Sequence, residues 1–283
     1  MKSVVVTGVS SGIGHGTVKV LLAKGWQVFG SVRRPADAER LKTEFGDHFT
    51  PLLFDVTDEA AVARAADQVQ DALSGRTLSG LVNNAGVAVP AALAHQAISD
   101  FRQQLDINLT GPLIVTQAFL PHLGMNRELR GKPGRIVNVS SIGARLSPPF
   151  LGAYAASKAG LEALSDSLRR ELLPFGIDVL VVAPGSVATP IWDKAEAGQT
   201  DWDDNETYRQ PMQNFAASMI KDGRAGYTPE QIGLTISQAL SRLKPALRFA
   251  PGPETPLMRM MTRVLPKRTL DNVIGRTLGQ TRK

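Results

Sequence analysis

Tyr154 and Lys158 stand four positions apart in Y-A-A-S-K, and a serine pair, Ser140 and Ser141, closes the preceding apolar run I-V-N-V-S-S. On a helix, residues i and i+4 share a face, so ammonium and phenol would point the same way. A fixed positive charge near a phenol favours its ionised form and lowers a pKa that is about 10 when unperturbed. A hydroxyl from Ser141, at a strand end, could then hold a carbonyl or alcohol oxygen against the phenol. Such a group could exchange a proton near neutral pH. Tyrosine and lysine at this spacing are usually surface residues, so the tetrad gains meaning only from the elements that position it.

Those elements alternate. Short, β-branched runs at 3–7, 27–32, 51–55, 78–83, 135–140, 178–183 and 247–250 read as strands, with helical patterns near 14–24, 36–45, 58–73, 99–122, 152–173 and 229–242. Runs such as V-V-V-T and I-V-N-V show little polar alternation, as expected of strands covered on both faces. The pattern predicts an α/β fold with a doubly wound parallel sheet, in which ligands bind beyond the carboxyl ends of the strands. The suggestive residues fall at those ends.

The first strand runs into T-G-V-S-S-G-I-G, comprising Thr7, Gly8, Ser10, Ser11, Gly12, Ile13 and Gly14. Glycines let a backbone turn sharply and approach a pyrophosphate, and the helix that follows offers free amides at its positive end. Gly8 and Gly12 are four apart, which is not the common G-x-G-x-x-G spacing. At the end of the second strand an acidic residue would accept from a ribose 2′-hydroxyl; here Val32 is followed by Arg33 and Arg34. Two guanidiniums suit a 2′-phosphate, so NADP(H) is expected over NAD(H), with two solvated arginines before Pro35 as the plainer reading. Asp55 and Val56, after the third strand, are placed to contact the adenine, although an aspartate there is also a common helix cap.

With these pieces in hand, the chain resembles the short-chain dehydrogenase/reductase family in its shorter, single-domain branch. The matching segments are T-G-V-S-S-G-I-G, Asp55-Val56, N-N-A-G at 83–86, D-I-N-L-T-G with Asn108, Ser140-Ser141, Y-A-A-S-K, and P-G-S-V-A-T at 184–189. The resemblance implies a Rossmann-type sheet of about seven strands with helices on both faces. It implies that Ser141, Tyr154, Lys158 and Asn108 carry the chemistry, with Tyr154 as proton donor or acceptor. Lys158 would lower the tyrosine's pKa and bind the nicotinamide ribose, while Asn108 holds a water that links Lys158 to solvent. Asn83, Ala85 and Gly86 would shape the cofactor cleft, and Pro184, Gly185, Val187 and Thr189 would hold the carboxamide side. The implied activity is interconversion of a carbonyl and a secondary alcohol. A nucleotide-sensing regulator without chemistry, or an epimerase or dehydratase of the extended branch, are the alternatives. The intact Ser141, Tyr154 and Lys158 argue against the first, and the glycine spacing and short C-terminus against the second.

The rest of the composition narrows the setting. The 283 residues contain no cysteine, which excludes disulfides and thiol chemistry, and the four histidines lack ligand spacing, so no catalytic metal is expected. A strand starting by Ser3 leaves no room for a secretory signal, and no apolar run approaches a membrane span, so a cytoplasmic protein is expected. No linker or repeat divides the chain, and a single domain is expected over 1–254. The net charge of +6 is uneven: residues 241–283 carry ten basic side chains against Glu254 and Asp271, which leaves the body slightly acidic. A nucleic-acid partner is not expected.

Substrate contacts are expected from Gly143, Ser141, Tyr154 and Trp192. The loop 143–151 and the segment 190–227 lie beyond the catalytic strands, and the latter brings Ile191, Trp192, Trp202, Met212, Phe215 and Met219. They predict an apolar lid over a lipophilic alcohol or ketone, or simply a segment packed onto the body. Arg145 could meet a substrate carboxylate or phosphate, with a surface role as the plainer reading. Leu257, Met260, Met261, Val264 and Leu265, then Leu270, Val273, Ile274, Thr277 and Leu278, read as two basic amphipathic helices broken at Pro266. They are expected to pack on the domain or a second subunit, or to touch an anionic membrane weakly. The family implies a homodimer or homotetramer, and basic tails occur in relatives resembling 17β-hydroxysteroid and retinol dehydrogenases.

Overall fold

The computed structural model describes residues 1–189, 206–252 and 266–280. Among them, seven strands form one parallel sheet: β1 (Ser3–Val6), β2 (Gln27–Val32), β3 (Phe49–Leu53), β4 (Gly80–Asn83), β5 (Arg135–Val139), β6 (Asp178–Val182) and β7 (Arg248–Phe249). Their order is β3-β2-β1-β4-β5-β6-β7, so the crossover direction reverses between β1 and β4. That reversal opens the crevice above the carboxyl ends in which such folds bind ligands.

Side chains alternate between two cores, as the period of two in a strand requires. Val5, Phe29, Leu81, Ile136 and Val179 enter one core, which is closed by α3 (Glu59–Leu73), α5 (Gly111–Phe119) and α7 (Gly152–Glu171). Val4, Val6, Val28, Val82, Val137, Leu180 and Val182 enter the other, closed by α1 (Gly12–Ala23), α2 (Pro35–Phe45) and α9 (Pro229–Ser241). Full burial of each such side chain is worth about 1.5–3 kcal/mol, which explains why valine, leucine, isoleucine and phenylalanine fill most inward positions of these strands. The remaining helices are α4 (Ile98–Leu105), the single turn α6 (Gly143–Leu146), α8 (Glu206–Arg224) and α10 (Lys267–Leu278).

Two differences from the sequence reading have plain causes. The third strand begins at Phe49 rather than 51: β3 is an edge strand paired only with β2, and an edge position accommodates Pro51, which has no N–H for the ladder. The helix expected over 99–122 is interrupted: α4 passes through a wider π turn (Asp106–Thr110) before α5. Pro112 has no N–H to give the carbonyl four residues earlier, that of Asn108, so the ladder widens at this point. A second such turn, Pro121–Met125, ends the stretch with Gly124 at φ 116°.

Helix α1 lies unusually close to α9. A Cβ at Gly16 would come within 2.6 Å of the Pro229 side chain, and one at Gly233 within 2.9 Å of the Gly16 carbonyl oxygen. A capping box of Thr228 and Gln231, with Pro229 in the first turn, starts α9 at that contact. Among the described residues no helix is long and apolar enough to cross a membrane.

Candidate active site

The site is built from the carboxyl ends of β1, β4, β5 and β6. At the end of β1 the chain turns at Gly8 (φ 69°) and Gly12 (φ 60°), conformations that side-chain-bearing residues rarely adopt. A Cβ on Gly8 would also lie 2.9 Å from the Ala85 Cα, and one on Gly14 only 2.3 Å from the Gly8 carbonyl oxygen. Ser11, the residue before α1, makes no side-chain cap, and no acidic residue occupies the first turn. The amides of Gly12, Ile13 and Gly14 thus end a helix whose positive pole no carboxylate neutralises. This cradle fits the pyrophosphate of a dinucleotide.

The loop after β4 is sewn to that turn. Thr7 Oγ1 accepts from the Asn84 and Ala85 amides, both at 2.9 Å, while Asn84 Nδ2 donates to the carbonyls of Thr7 (2.8 Å) and Gly8 (3.1 Å). Sequence reasoning named the flanking residues and passed over Asn84, although it stands inside the N-N-A-G segment. Asn83 turns the other way: it is buried, and its Nδ2 donates to Asn138 Oδ1 (2.8 Å) and Thr116 Oγ1 (3.1 Å) below the cleft floor.

On the adenosine side, Arg33 is exposed, with a loose 3.7 Å contact to Asp55. Arg34 instead donates to Asp37 at 2.8 Å, and the Arg34 guanidinium holds the Asp37 carboxyl below its ordinary pKa. Arg40, which no sequence motif marks, donates to the Ser10 carbonyl at 2.9 Å and to Asp37 at 3.3 Å. Asp55 accepts from the Thr57 amide and hydroxyl, and Val56 is buried against Gly111. Asp58, not Asp55, caps α3 by accepting from the Ala61 amide.

At the centre of the sheet, α7 presents Tyr154 and Lys158 on one face, as the spacing predicts. Beside Tyr154, the Ser141 Oγ accepts from the Gly143 amide at 3.0 Å. Gly143 is close enough that a Cβ there would meet Ser141 Oγ at 3.3 Å and the Tyr154 ring at 3.6 Å. Lys158 Nζ donates to the Val139 carbonyl at 2.9 Å and sits 5.9 Å from the tyrosine ring centre. Asn108, in the π turn, pairs with Val87 in both directions at 2.8 Å and donates to Ser157 at 3.0 Å. Gly86 faces both: a Cβ there would be 3.0 Å from Asn108 Oδ1 and 3.4 Å from Lys158 Nζ.

The expectation that Lys158 makes the phenol acidic is corrected here. Burial raises the Tyr154 pKa above that of an ordinary phenol, the neighbouring Ser141 hydroxyl drawing it partly back, and burial brings Lys158 down to about 8. Removing both groups from water opposes charging either one.

After β6, the Pro184 carbonyl accepts from the Ile142 amide at 3.0 Å, and Gly185 donates to Pro251 at 2.8 Å. Val187 is buried beside Tyr227, and Thr189 comes round to face the glycine turn, 3.4 Å from where a Gly12 Cβ would be. Ile191, Trp192 and Trp202 lie outside the described residues. Over the tyrosine, a third apolar cluster joins Ala92, Phe150, Leu151, Met212, Phe215 and Leu278, with Tyr154 itself packed against it. Phe150 holds φ 64° and meets the rings of Tyr208 (6.2 Å) and Phe215 (5.8 Å). Among the described residues no group of three or more His, Asp or Glu lies together as a metal site would require.

Comparison with known proteins agrees with this geometry. Residues 2–200 match the family model described as short chain dehydrogenase. The chain is 34% identical over 278 residues to an NADPH-dependent 3-dehydrocapnine reductase of Ornithobacterium rhinotracheale, covering 98% of each. It is 33% identical to the 17-beta-hydroxysteroid dehydrogenase type 6 of Bos taurus, covering 98% of this chain and 88% of that one. A solved short-chain dehydrogenase from Streptomyces avermitilis superposes with a TM-score of 0.75 at 28% identity, covering 99% of this chain and 97% of that one. With the glycine turn, the switch-point crevice and the family match in agreement, the chain belongs to the short-chain dehydrogenase family and is an NAD(P)-dependent oxidoreductase.

Proposed function

We propose that the protein uses NADP(H) to interconvert a carbonyl and a secondary alcohol on an apolar substrate, with Tyr154 as the proton-transferring group. The observation that carries this reading is the convergence of Ser141 Oγ and the Tyr154 ring on Gly143, 3.3 and 3.6 Å from a Cβ placed there, at the carboxyl end of β5 with Lys158 behind them. A phenol that keeps its proton can give it to the carbonyl oxygen during reduction, and the same oxygen takes it back from the alcohol during oxidation. Ser141 would hold that oxygen against the phenol. Lys158 stays mostly protonated below pH 8, and its ammonium stabilises negative charge that develops on the tyrosine oxygen. Asn108 would hold a water that returns protons to Lys158 from solvent.

The residues suited to the dinucleotide are Thr7, Gly8, Ser10, Ser11, Gly12, Ile13 and Gly14 for the pyrophosphate, with Arg33 and Arg34 toward a 2′-phosphate. Asp55 and Val56 flank the adenine; Ala85 and Gly86 line the floor, with Asn83 supporting it from below; Pro184, Gly185, Val187 and Thr189 take the nicotinamide side. When bound, the nicotinamide supplies or accepts the hydride. The named NADPH dependence of the capnine-type relative supports the phosphate form. An exposed Arg33 with no tight partner supports it too. The wall of Phe150, Met212 and Phe215 supports an apolar substrate, as does the likeness to a hydroxysteroid dehydrogenase. Family habit supports a homodimer or homotetramer through α4–α5 and α7, and the basic C-terminal segment supports weak contact with anionic lipid.

The test is a panel of ketones, aldehydes and alcohols followed at 340 nm with NADPH and NADH. Arg33→Ala should weaken NADPH by about 1–3 kcal/mol and leave NADH nearly unchanged, because a charge-assisted contact to the extra phosphate is lost. Equal NADPH affinity in the variant means the phosphate is read elsewhere. No turnover of any carbonyl with either cofactor ends the enzymatic reading.

A further inference from the structure

Ser141 stands between two residues that converge on one carboxylate. Its predecessor, Ser140, donates from Oγ to Glu162 Oε1 at 3.1 Å, and Arg145, four residues on, donates from Nε to Glu162 Oε2 at 3.3 Å. Arg248 of β7 completes the cluster, with Nε 3.1 and 3.0 Å from the two carboxylate oxygens and an Nη 2.9 Å from Oε1. The Glu162 side chain is only 15% exposed.

The placement follows from helix geometry. Tyr154, Lys158 and Glu162 are spaced i, i+4 and i+8, so the stripe of α7 that presents the phenol and the ammonium continues into this carboxylate. Where the first two face the cleft, the third faces the body of the sheet end. There it gathers the end of β5 (Ser140), the turn that follows Ser141 (Arg145 of α6) and the two-residue edge strand β7 (Arg248). A two-residue strand has little ladder of its own, and a forked arginine on a carboxylate fixes direction as well as distance. Arg145 is thereby spoken for by Glu162 rather than held toward a substrate anion.

We propose that Glu162 is a positioning residue for the proton-transfer site, and that it fixes the Ser141 hydroxyl relative to Tyr154 by clamping the chain on both sides of the serine. The proposal rests on the assignment of Ser141 and Tyr154 made above. Glu162 touches neither reacting atoms nor the glycine turn, so its loss should appear in turnover and leave cofactor affinity alone. Small displacements of a reacting group are costly: about 1 Å is worth about a hundredfold.

The experiment uses the full chain with NADPH and the best ketone from the panel. It measures kcat and KM per NADPH-binding site, NADPH affinity by nucleotide fluorescence, and thermal midpoint. Glu162→Ala should lower kcat about 10- to 100-fold with NADPH affinity within about twofold of wild type. Glu162→Gln, which keeps acceptors for Ser140 and one arginine, should recover part of that loss. Ser140→Ala and Arg145→Ala each remove one arm and should lower kcat about three- to tenfold. A purely structural carboxylate would instead shift the midpoint and the fraction of binding sites, with kcat per site unchanged; that result overturns the proposal. If Glu162→Ala does not fold, wild-type kcat in both single-arm variants overturns it equally. Ser141→Ala runs alongside. Wild-type turnover there refutes the serine assignment itself, whereas a dead Ser141→Ala with an unimpaired Glu162→Ala refutes this inference alone.

Discussion

The two ends of the cleft are made in different ways. The pyrophosphate end is almost entirely local: one turn of eight residues, its glycines and the free amides of α1, pinned through Thr7 and Gly8 to Asn84 of the loop after β4. The substrate end is assembled from Ala92, Phe150, Met212, Phe215 and Leu278, drawn from widely separated parts of the chain. A pyrophosphate is the same in every dinucleotide, so a short fixed cradle suffices. The apolar substrate we propose would be met by side-chain surface, which tertiary packing supplies. The tyrosine belongs to both, since Lys158 Nζ, expected on the ribose side, lies 5.9 Å from its ring centre and the ring packs against the apolar wall.

The sharpest way to separate the ends is at the residue they share. Tyr154→Phe removes one oxygen and leaves the ring in its wall. Turnover should fall by about 10²–10⁴ while NADPH affinity, read by fluorescence titration, stays within about twofold. A comparable loss of NADPH affinity would mean that the phenol serves cofactor binding, and the division between the two ends would collapse.

Lys158 offers the next largest effect, and its sign can be worked out. Burial lowers its pKa from 10.5 to about 8, so the protonated form is the one the fold penalises. That penalty is fully present below pH 8 and is relieved as pH rises from 8 toward 10.5, because the unfolded chain keeps its proton longer. Lys158→Met therefore removes a cost of up to about 3 kcal/mol at pH 7, less about 1 kcal/mol for the lost bond to the Val139 carbonyl. Activity should vanish while urea midpoints rise at pH 7, with the gain shrinking toward pH 10. In the wild type, kcat/KM for reduction should decline on an alkaline limb with an apparent pKa near 8. A flat profile to pH 9.5 would show that the ammonium is not needed.

What was legible follows the same division. The alternating strands and helices, the glycine turn and the Tyr154–Lys158 face could be read from spacing, because each is a short-range pattern imposed by backbone geometry. The direction of the Tyr154 pKa could not, since burial depends on residues as distant as Met212 and Phe215. Arg40 was illegible for a similar reason: nothing nearby in sequence says that a residue in the middle of α2 reaches the Ser10 carbonyl. Nor does the Y-A-A-S-K motif reveal that its stripe runs on to Glu162. The break at Asn108 was half legible, as Pro112 announces a disturbed ladder without saying what kind.

Arg40 gives a smaller test on the cofactor side. It buttresses the glycine turn through Ser10, which both dinucleotides share, whereas Arg33 is free to meet the phosphate that only one of them carries. Arg40→Ala should weaken NADPH and NADH alike, by about 1 kcal/mol for one lost hydrogen bond. A loss confined to NADPH would move Arg40 from support of the turn to direct reading of the phosphate.

The smallest effect is expected farthest from the chemistry, at the C-terminal helix. α10 reaches the substrate wall through Leu278, which is buried, and through the Leu278 carbonyl, which accepts from Asn214 Nδ2 of α8 at 3.2 Å. Ile274 joins the same cluster, whereas Val273, on the neighbouring side, is exposed. This anchorage holds α8 at its far side while Phe215 and Met212 of the same helix face Phe150. Leu278→Ala should loosen that hold without touching the sheet. If about 1 kcal/mol of closure is lost, KM for an apolar ketone rises about fivefold. KM for NADPH should stay put, because the glycine turn takes no part in the cluster that α10 joins. A rise in KM equal for a small and a large ketone would show that α10 props the whole cleft. A rise confined to the large one would show that it sets how much apolar surface the substrate can bury.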